Sequence, residues 1–281
     1  MPDPPIVDSH VHLWDPQRFR MPWLDANAHL RRPFGMAELV EDSKGLQIEG
    51  LVYVQVDVTP AYGLLEAEWV AQLDRRVEGM VAWAPVEDGA IVRTYLDRLI
   101  ATNPRIKGVR RLLQSESDPD FQIAPDFLVG LRLLPEYGLS FDICIRHDQL
   151  ARTIDMVRGC PETDFVLDHF GKPDVRGARL DPWRDQISRL AEFANVTCKI
   201  SGLVTEADYA AWTPADLQPY VSHALQVFGE DRVLFGGDWP VVTLASSYRR
   251  WIETLDRLTS HLSPGAGRKL WAENARRVYR L

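Results

Sequence analysis

The stretch Ile6–Pro16, IVDSHVHLWDP, begins as an apolar run and closes on two histidines set two residues apart. In a β-strand, residues i and i+2 point to the same face. Read as a strand, the stretch puts Asp8, His10 and His12 on one side. Two imidazoles at a strand end offer two nitrogens to one point, which suits zinc and similar metals. An isolated pair serves equally well as hydrogen-bonded structural histidines. Its meaning therefore depends on what the rest of the chain brings beside it.

Working outward, short β-branched runs alternate with longer helical patterns, as in a parallel sheet built from βα units. The strand candidates are 6–11, 50–56 (GLVYVQV), 80–85 (MVAWAP), 106–112 (IKGVRRL), 139–145 (LSFDICI), 164–168 (DFVLD), 196–200 (VTCKI) and 233–235 (VLF). Helical stretches are expected over 64–77, 90–101, 125–137, 149–158, 182–194 and 217–228, with SSYRRWIETLDRL after the eighth strand. In the first of these, Leu65, Trp69 and Leu73 recur at every fourth position, as one helical face requires. Eight βα repeats predict an α/β fold, a (β/α)8 barrel. The 281 residues suit one such barrel, which typically takes ~250 residues. An open doubly wound sheet would carry a glycine-rich first turn, and VDSHVHLWDP has none. No Gly/Ser linker interrupts the chain, so residues 1–281 are read as one domain.

The net charge of −8 argues against a nucleic-acid or anionic-membrane partner. No apolar run approaches the ~18 residues of a membrane span. The start, MPDPPIVD, has no basic, signal-like segment, and the expected location is cytoplasmic. Cys144, Cys160 and Cys198 lack CxxC spacing and are expected as reduced, buried thiols.

A barrel places its chemistry at the C-terminal ends of its strands. Four of the seven histidines, His10, His12, His147 and His169, fall there. Asp238 follows the eighth strand in VLFGGDWPV, where Gly236 and Gly237 permit a close turn and Pro240 stops the strand. Alone, Asp238 reads equally as a turn or N-cap aspartate. The first and last strands of a closed barrel are neighbours, so it can converge on His10 and His12 as a general base. His169 caps the apolar sixth strand. His147 either joins the site or starts the next helix, with Asp148 as its cap. Of the adjacent Arg110 and Arg111, only one can face the barrel mouth, where it would bind substrate. The segment 14–34 holds Trp14, Trp23 and four arginines, and long irregular loops are often functional. It is read as a pocket wall or lid.

Through VDSHVHLWDP, MPWL, LRRPF, KGVRRLLQ, FDICIRHDQL, VLDHFGKP, CKISGL, LFGGDWPV and ENARRVYRL, the chain resembles the amidohydrolase superfamily. It is most similar to the sugar-lactonase branch, which includes L-fuconolactonase and L-rhamnonolactonase-like hydrolases. The resemblance implies an amidohydrolase barrel that opens a small-molecule lactone with water. His10 and His12 match the family's first-strand pair, His169 its histidine and Asp238 its last-strand aspartate. It implies a divalent metal, zinc foremost, at His10, His12, His169 and Asp238, although related lactonases differ in needing one. Asp238 and His169 would be catalytic, and Arg110, Trp14, Trp23 and His147 would bind substrate. Relatives often carry histidine in place of Arg111 and proline in place of His147. The alternatives are a metal-dependent decarboxylase of the same superfamily, a hydrolase of a carboxylated (muconolactone- or pyrone-type) lactone, and a non-catalytic binding barrel.

Overall fold

The structure, a computed structural model, describes residues 2–281. Eight parallel strands run in sequence order: β1 (Ile6–Val11), β2 (Ile48–Val54), β3 (Val77–Ala82), β4 (Ile106–Val109), β5 (Ser140–Ile143), β6 (Phe165–Leu167), β7 (Val196–Ile200) and β8 (Val233–Phe235). Val11 bridges Trp239, His12 N–H donates to Trp239 O (2.7 Å), and Asp238 N–H donates to His10 O (2.8 Å). These bonds close the barrel between β1 and the segment after β8. A helix follows each strand: α1 (Met36–Asp42), α2 (Gly63–Ala71), α3 (Val92–Thr102), α4 (Pro125–Leu133), α5 (Leu150–Gly159), α6 (Trp183–Ala191), α7 (Pro214–Phe228) and α8 (Tyr248–Leu258). Two short helices, α9 (Pro264–Arg268) and α10 (Asn274–Tyr279), complete the chain.

The barrel forms because its strands are apolar on both faces. Val52 and Val54 of β2 join Val7, Val81, Val166 and Leu234 in one cluster, which Ala275 and Tyr279 of α10 also enter. Leu51 and Tyr53 of the same strand pack in the larger core with α2 and α3 residues such as Ala67, Val70 and Leu96. Each fully buried aliphatic side chain contributes about 1.5–3 kcal/mol. A strand loaded on both faces therefore has no stable place outside such a layered fold.

The expected strands all form, and three of them keep their expected bounds: β1, β7 and β8. The helical stretch expected to reach Val77 stops at Ala71. Asp74 Oδ1 accepts from Arg76 N–H (2.9 Å), and Val77 N–H donates to Asp74 O (3.0 Å). That turn ends the helical segment and starts β3 three residues earlier than expected. The three cysteines are buried and free. Among the described residues, no helix is long and apolar enough to cross a membrane.

Glu66 of α2 is a buried carboxylate outside the barrel mouth. Its Oε1 accepts from Tyr53 Oη (2.7 Å) and Val56 N–H (2.9 Å), while Oε2 has no partner among the described residues. Burial pushes its acid up from 4.5 to about 7 against those two bonds. Its stabilising contribution is therefore full below its unfolded value and is lost as pH rises through about 7. A shift of that size corresponds to about 3 kcal/mol. In urea unfolding between pH 5 and 8, Glu66→Gln should remove most of this loss. An unchanged pH slope would refute the assignment.

Candidate active site

The register of β1 shifts between Asp8 and Val11. This irregularity corrects the expectation that Asp8 lies with the histidines. Its carboxylate instead accepts from Tyr248 Oη of α8 (2.6 Å), Gly237 N–H (2.8 Å) and His10 N–H (2.9 Å). Asp8 thereby ties β1 to the turn after β8. A Cβ at residue 237 would come within 2.3 Å of both Asp8 Oδ2 and Tyr248 Cε2, so only glycine fits this crossing.

His10 and His12 do converge, with their Nε2 atoms 3.2 Å apart. His12 Nδ1–H donates to Val54 O (2.7 Å), which leaves its Nε2 as a lone pair. His10 Nδ1 sits between a donor and an acceptor: Lys199 Nζ at 3.2 Å and Asp168 Oδ1 at 3.2 Å. Nδ1 can accept from the ammonium in one tautomer and lies within ion-pair range of the carboxylate in the other. His10 Nε2 can donate to His12 or present a lone pair. Asp238 Oδ1 lies 3.5 Å from His12 Nε2, 3.7 Å from His10 Nε2 and 4.0 Å from His169 Nε2.

Asp238 and His169 both hold left-handed backbone, with φ of 53° and 54°. Such conformations cost energy in non-glycine residues and concentrate at functional sites. His169 Nδ1 contacts Ser201 Oγ at 2.9 Å. A Cβ on Gly202 would reach within 2.4 Å of the same nitrogen, so the loop after β7 must be bare there.

Burial decides the protonation states. It lowers His12, holds His10 well below its ordinary value and brings His169 down to about 4. All three imidazoles are neutral at neutral pH. Burial opposes ionisation of Asp238 too, but the surrounding imidazoles, His169 first, outweigh it and hold the carboxyl below the usual carboxylate range.

Beneath this group lies a fully buried charge network. Lys199 of β7 pairs with Asp142 of β5 (2.6 Å) and Asp168 (3.0 Å), and burial of the ammonium is outweighed by these two carboxylates. Tyr279 Oη of α10 donates to Asp142 Oδ2 (2.6 Å). Arg110 closes the network, with Nη1 to Asp168 Oδ2 (3.1 Å) and Nη2 to Gln55 O (2.6 Å). Its Nε is buried without a partner among the described residues.

Above them opens a cavity of about 250 Å³, walled by His12, Trp23, Arg110, His169, Asp238 and Lys172, among others. Trp23 stands at its rim, its indole N–H bound to Val56 O (2.8 Å). Trp14 does not line this cavity. It is 1 % exposed and donates to Leu30 O and Arg32 O, bracing the base of the loop where it bridges Phe34. His147 opens a single turn, His147–Gln149, and lines a neighbouring cavity instead. Arg110 is the arginine turned inward, while Arg111 pairs with Glu87 and Glu116, both at 2.7 Å. Asp142, Asp168 and Ser201 had been given no role from the sequence. A charge inside an apolar strand, as in FDICI and VTCKI, was the available signal for the buried network.

Residues 7–281 match the amidohydrolase family model. The chain belongs to the amidohydrolase family. It is a hydrolase-class enzyme. It is 30 % identical to an L-fucono-1,5-lactonase of Burkholderia multivorans, across 98 % of this chain and 96 % of that one. An L-rhamnono-gamma-lactonase of Scheffersomyces stipitis is 23 % identical over 98 % of each chain. The crystal structure of an amidohydrolase from B. multivorans with bound zinc superposes with a TM-score of 0.88 at 28 % identity, covering 99 % of both chains.

The donor set of this amidohydrolase can be tested against a metal. Ligands about 2.0–2.1 Å from a tetrahedral zinc lie roughly 3.3–3.4 Å from one another. The 3.2, 3.5 and 3.7 Å separations among His10 Nε2, His12 Nε2 and Asp238 Oδ1 fit that spacing. These three residues form one group able to hold an ion, and His10, Asp168 and His169 form a second.

Proposed function

We propose that this amidohydrolase opens the ring ester of a sugar-derived lactone, an aldonolactone of the L-fucono- or L-rhamnono- type, by attack of water. The observation that carries the reading is the meeting of three neutral imidazoles with one ionised carboxylate, of which His12, His169 and Asp238 line a cavity sized for one small ring and His10 lies buried behind them. The likeness to named lactonases supports the substrate class.

In this mechanism Asp238 accepts a proton from water as the water oxygen bonds to the lactone carbonyl carbon. The carbonyl oxygen takes up negative charge. The donor that faces it is His169 Nε2–H, when Ser201 Oγ donates to Nδ1, and the Arg110 guanidinium in the same wall adds positive charge. The carbon–ring-oxygen bond then breaks, and Asp238 returns its proton to the leaving oxygen. The product is a hydroxy acid. Trp23 covers one wall of the bound ring. His10, His12 and Asp238 would hold a divalent ion, for which we propose zinc, while His169 Nε2–H is kept for the carbonyl oxygen. When bound, zinc lowers the pKa of water to about 7, which suits a carboxylate as weakly basic as Asp238.

A panel of aldonolactones, carboxylated lactones and aromatic acids, read by pH indicator and carbon dioxide release, tests the reaction. Neutral aldonolactones should be hydrolysed, with no carbon dioxide evolved. Decarboxylation, or turnover of carboxylated lactones alone, would overturn the reading. Calorimetric titration of the chelated protein should show one zinc ion bound. A protein taking up none would remove the metal while leaving the reaction to the panel.

A further inference from the structure

A second cavity, of about 560 Å³, adjoins the first. Lys172 and Thr205 belong to the walls of both. The outer cavity is formed by the segments after β5, β6 and β7, the same strand ends that frame the site. None of the steps proposed above uses it.

Its lining shows what it would bind. Three cations stand in the wall, Arg146, Lys172 and Arg176. Four carboxylates oppose them, Asp148, Asp174, Glu206 and Asp208. A polyanion would meet more repulsion than attraction there, and a cation would meet the arginines. A neutral polyol needs donors and acceptors together, which such a wall supplies. Arg176 is exposed and anchored through its backbone N–H to Glu206 O (3.0 Å), and its guanidinium makes no ion pair among the described residues. Tyr209 adds an aromatic ring that is 51 % exposed, with the apolar body and polar tip suited to a sugar face. Burial raises Glu206, which also feels the charges of Lys172, Arg146 and Asp238. The two cavities thus form one electrostatic neighbourhood.

We propose that the outer cavity is a subsite for a second sugar residue, so that the preferred substrate is a glycosylated aldonolactone whose lactone ring fills the inner cavity. The proposal rests on the lactonase reading and adds to it the extent of the substrate. The subsite would contribute binding to the part of the substrate remote from the reacting carbon. Such binding is realised in kcat/KM.

The test compares glucono-1,5-lactone with cellobiono-1,5-lactone, the same reacting ring without and with a second sugar. The disaccharide should show a kcat/KM at least tenfold higher. Tyr209→Ala and Arg176→Ala, both remote from the reacting group, should bring that ratio close to one while leaving the gluconolactone rate unchanged. Equal kcat/KM for the two lactones in the parent, or variants that slow both equally, would overturn the subsite. If neither is turned over, the D-glucono ring is not one the inner cavity accepts, and the lactone reading is decided by the panel above. Calorimetry with cellobiose then decides the subsite alone: binding lost in both variants supports it, and no binding to the parent overturns it.

Discussion

Asp238→Asn is expected to lower kcat for aldonolactone hydrolysis by about 10²–10⁴, the usual contribution of a positioned general base. KM should change far less. Asparagine keeps the size of the side chain and an oxygen near His12 and His10, but it cannot accept a proton at neutral pH. The backbone at φ 53° also tolerates asparagine, which visits the left-handed region more readily than most residues. Circular dichroism and thermal melting should therefore report an intact fold. Because Asp238 is also a candidate metal ligand, zinc content must be measured alongside the rate. A loss fully restored by excess zinc would assign Asp238 to metal binding alone. A variant within tenfold of the parent would remove it from the reaction.

Asp238 also shows what the sequence could and could not convey. Eight apolar runs separated by helical stretches were enough to give the barrel. Barrel order then made β1 and β8 neighbours, so the meeting of His10, His12 and Asp238 followed from topology. The orientation of Asp8 did not follow, because the period-two rule assumes an even ladder and β1 breaks register between Asp8 and Val11. Trp14 and Trp23 were equivalent as letters in one loop. Only the bridge between Trp14 and Phe34 turns the first into a brace and leaves the second at the cavity. Of Arg110 and Arg111, just past β4, one turns inward and the other outward, as alternation requires. A charge inside an apolar strand marks Lys199 and Asp142 as buried, but the pairing of Lys199 with Asp142 and Asp168 is long-range, and no local pattern encodes it.

That pairing supports the second large effect. Lys199→Met should destabilise the protein by about 3–5 kcal/mol, the cost of stripping one partner from a buried ion pair. At roughly 2–4 °C per kcal/mol for a chain of this size, the melting temperature should fall by about 6–20 °C. Two positive groups, Lys199 and Arg110, now balance Asp142 and Asp168, all of them buried. Without Lys199, one carboxylate is left without a compensating charge, and His10 Nδ1 loses its donor. Removing the charge from Asp142 as well should reverse most of the loss. Lys199→Met/Asp142→Asn leaves Arg110 and Asp168 as a matched pair, with Tyr279 Oη still able to donate to the amide oxygen at 142. Residues sharing one network typically couple by 0.5–3 kcal/mol, so the double variant should be clearly more stable than the sum of its parts predicts. Urea unfolding of the parent, both single variants and the double variant completes the cycle. Strict additivity, or a Lys199→Met protein within 1 kcal/mol of the parent, would show that the ammonium does not hold the barrel floor together. His10 would then owe its position to Asp168 and the backbone of β1 alone.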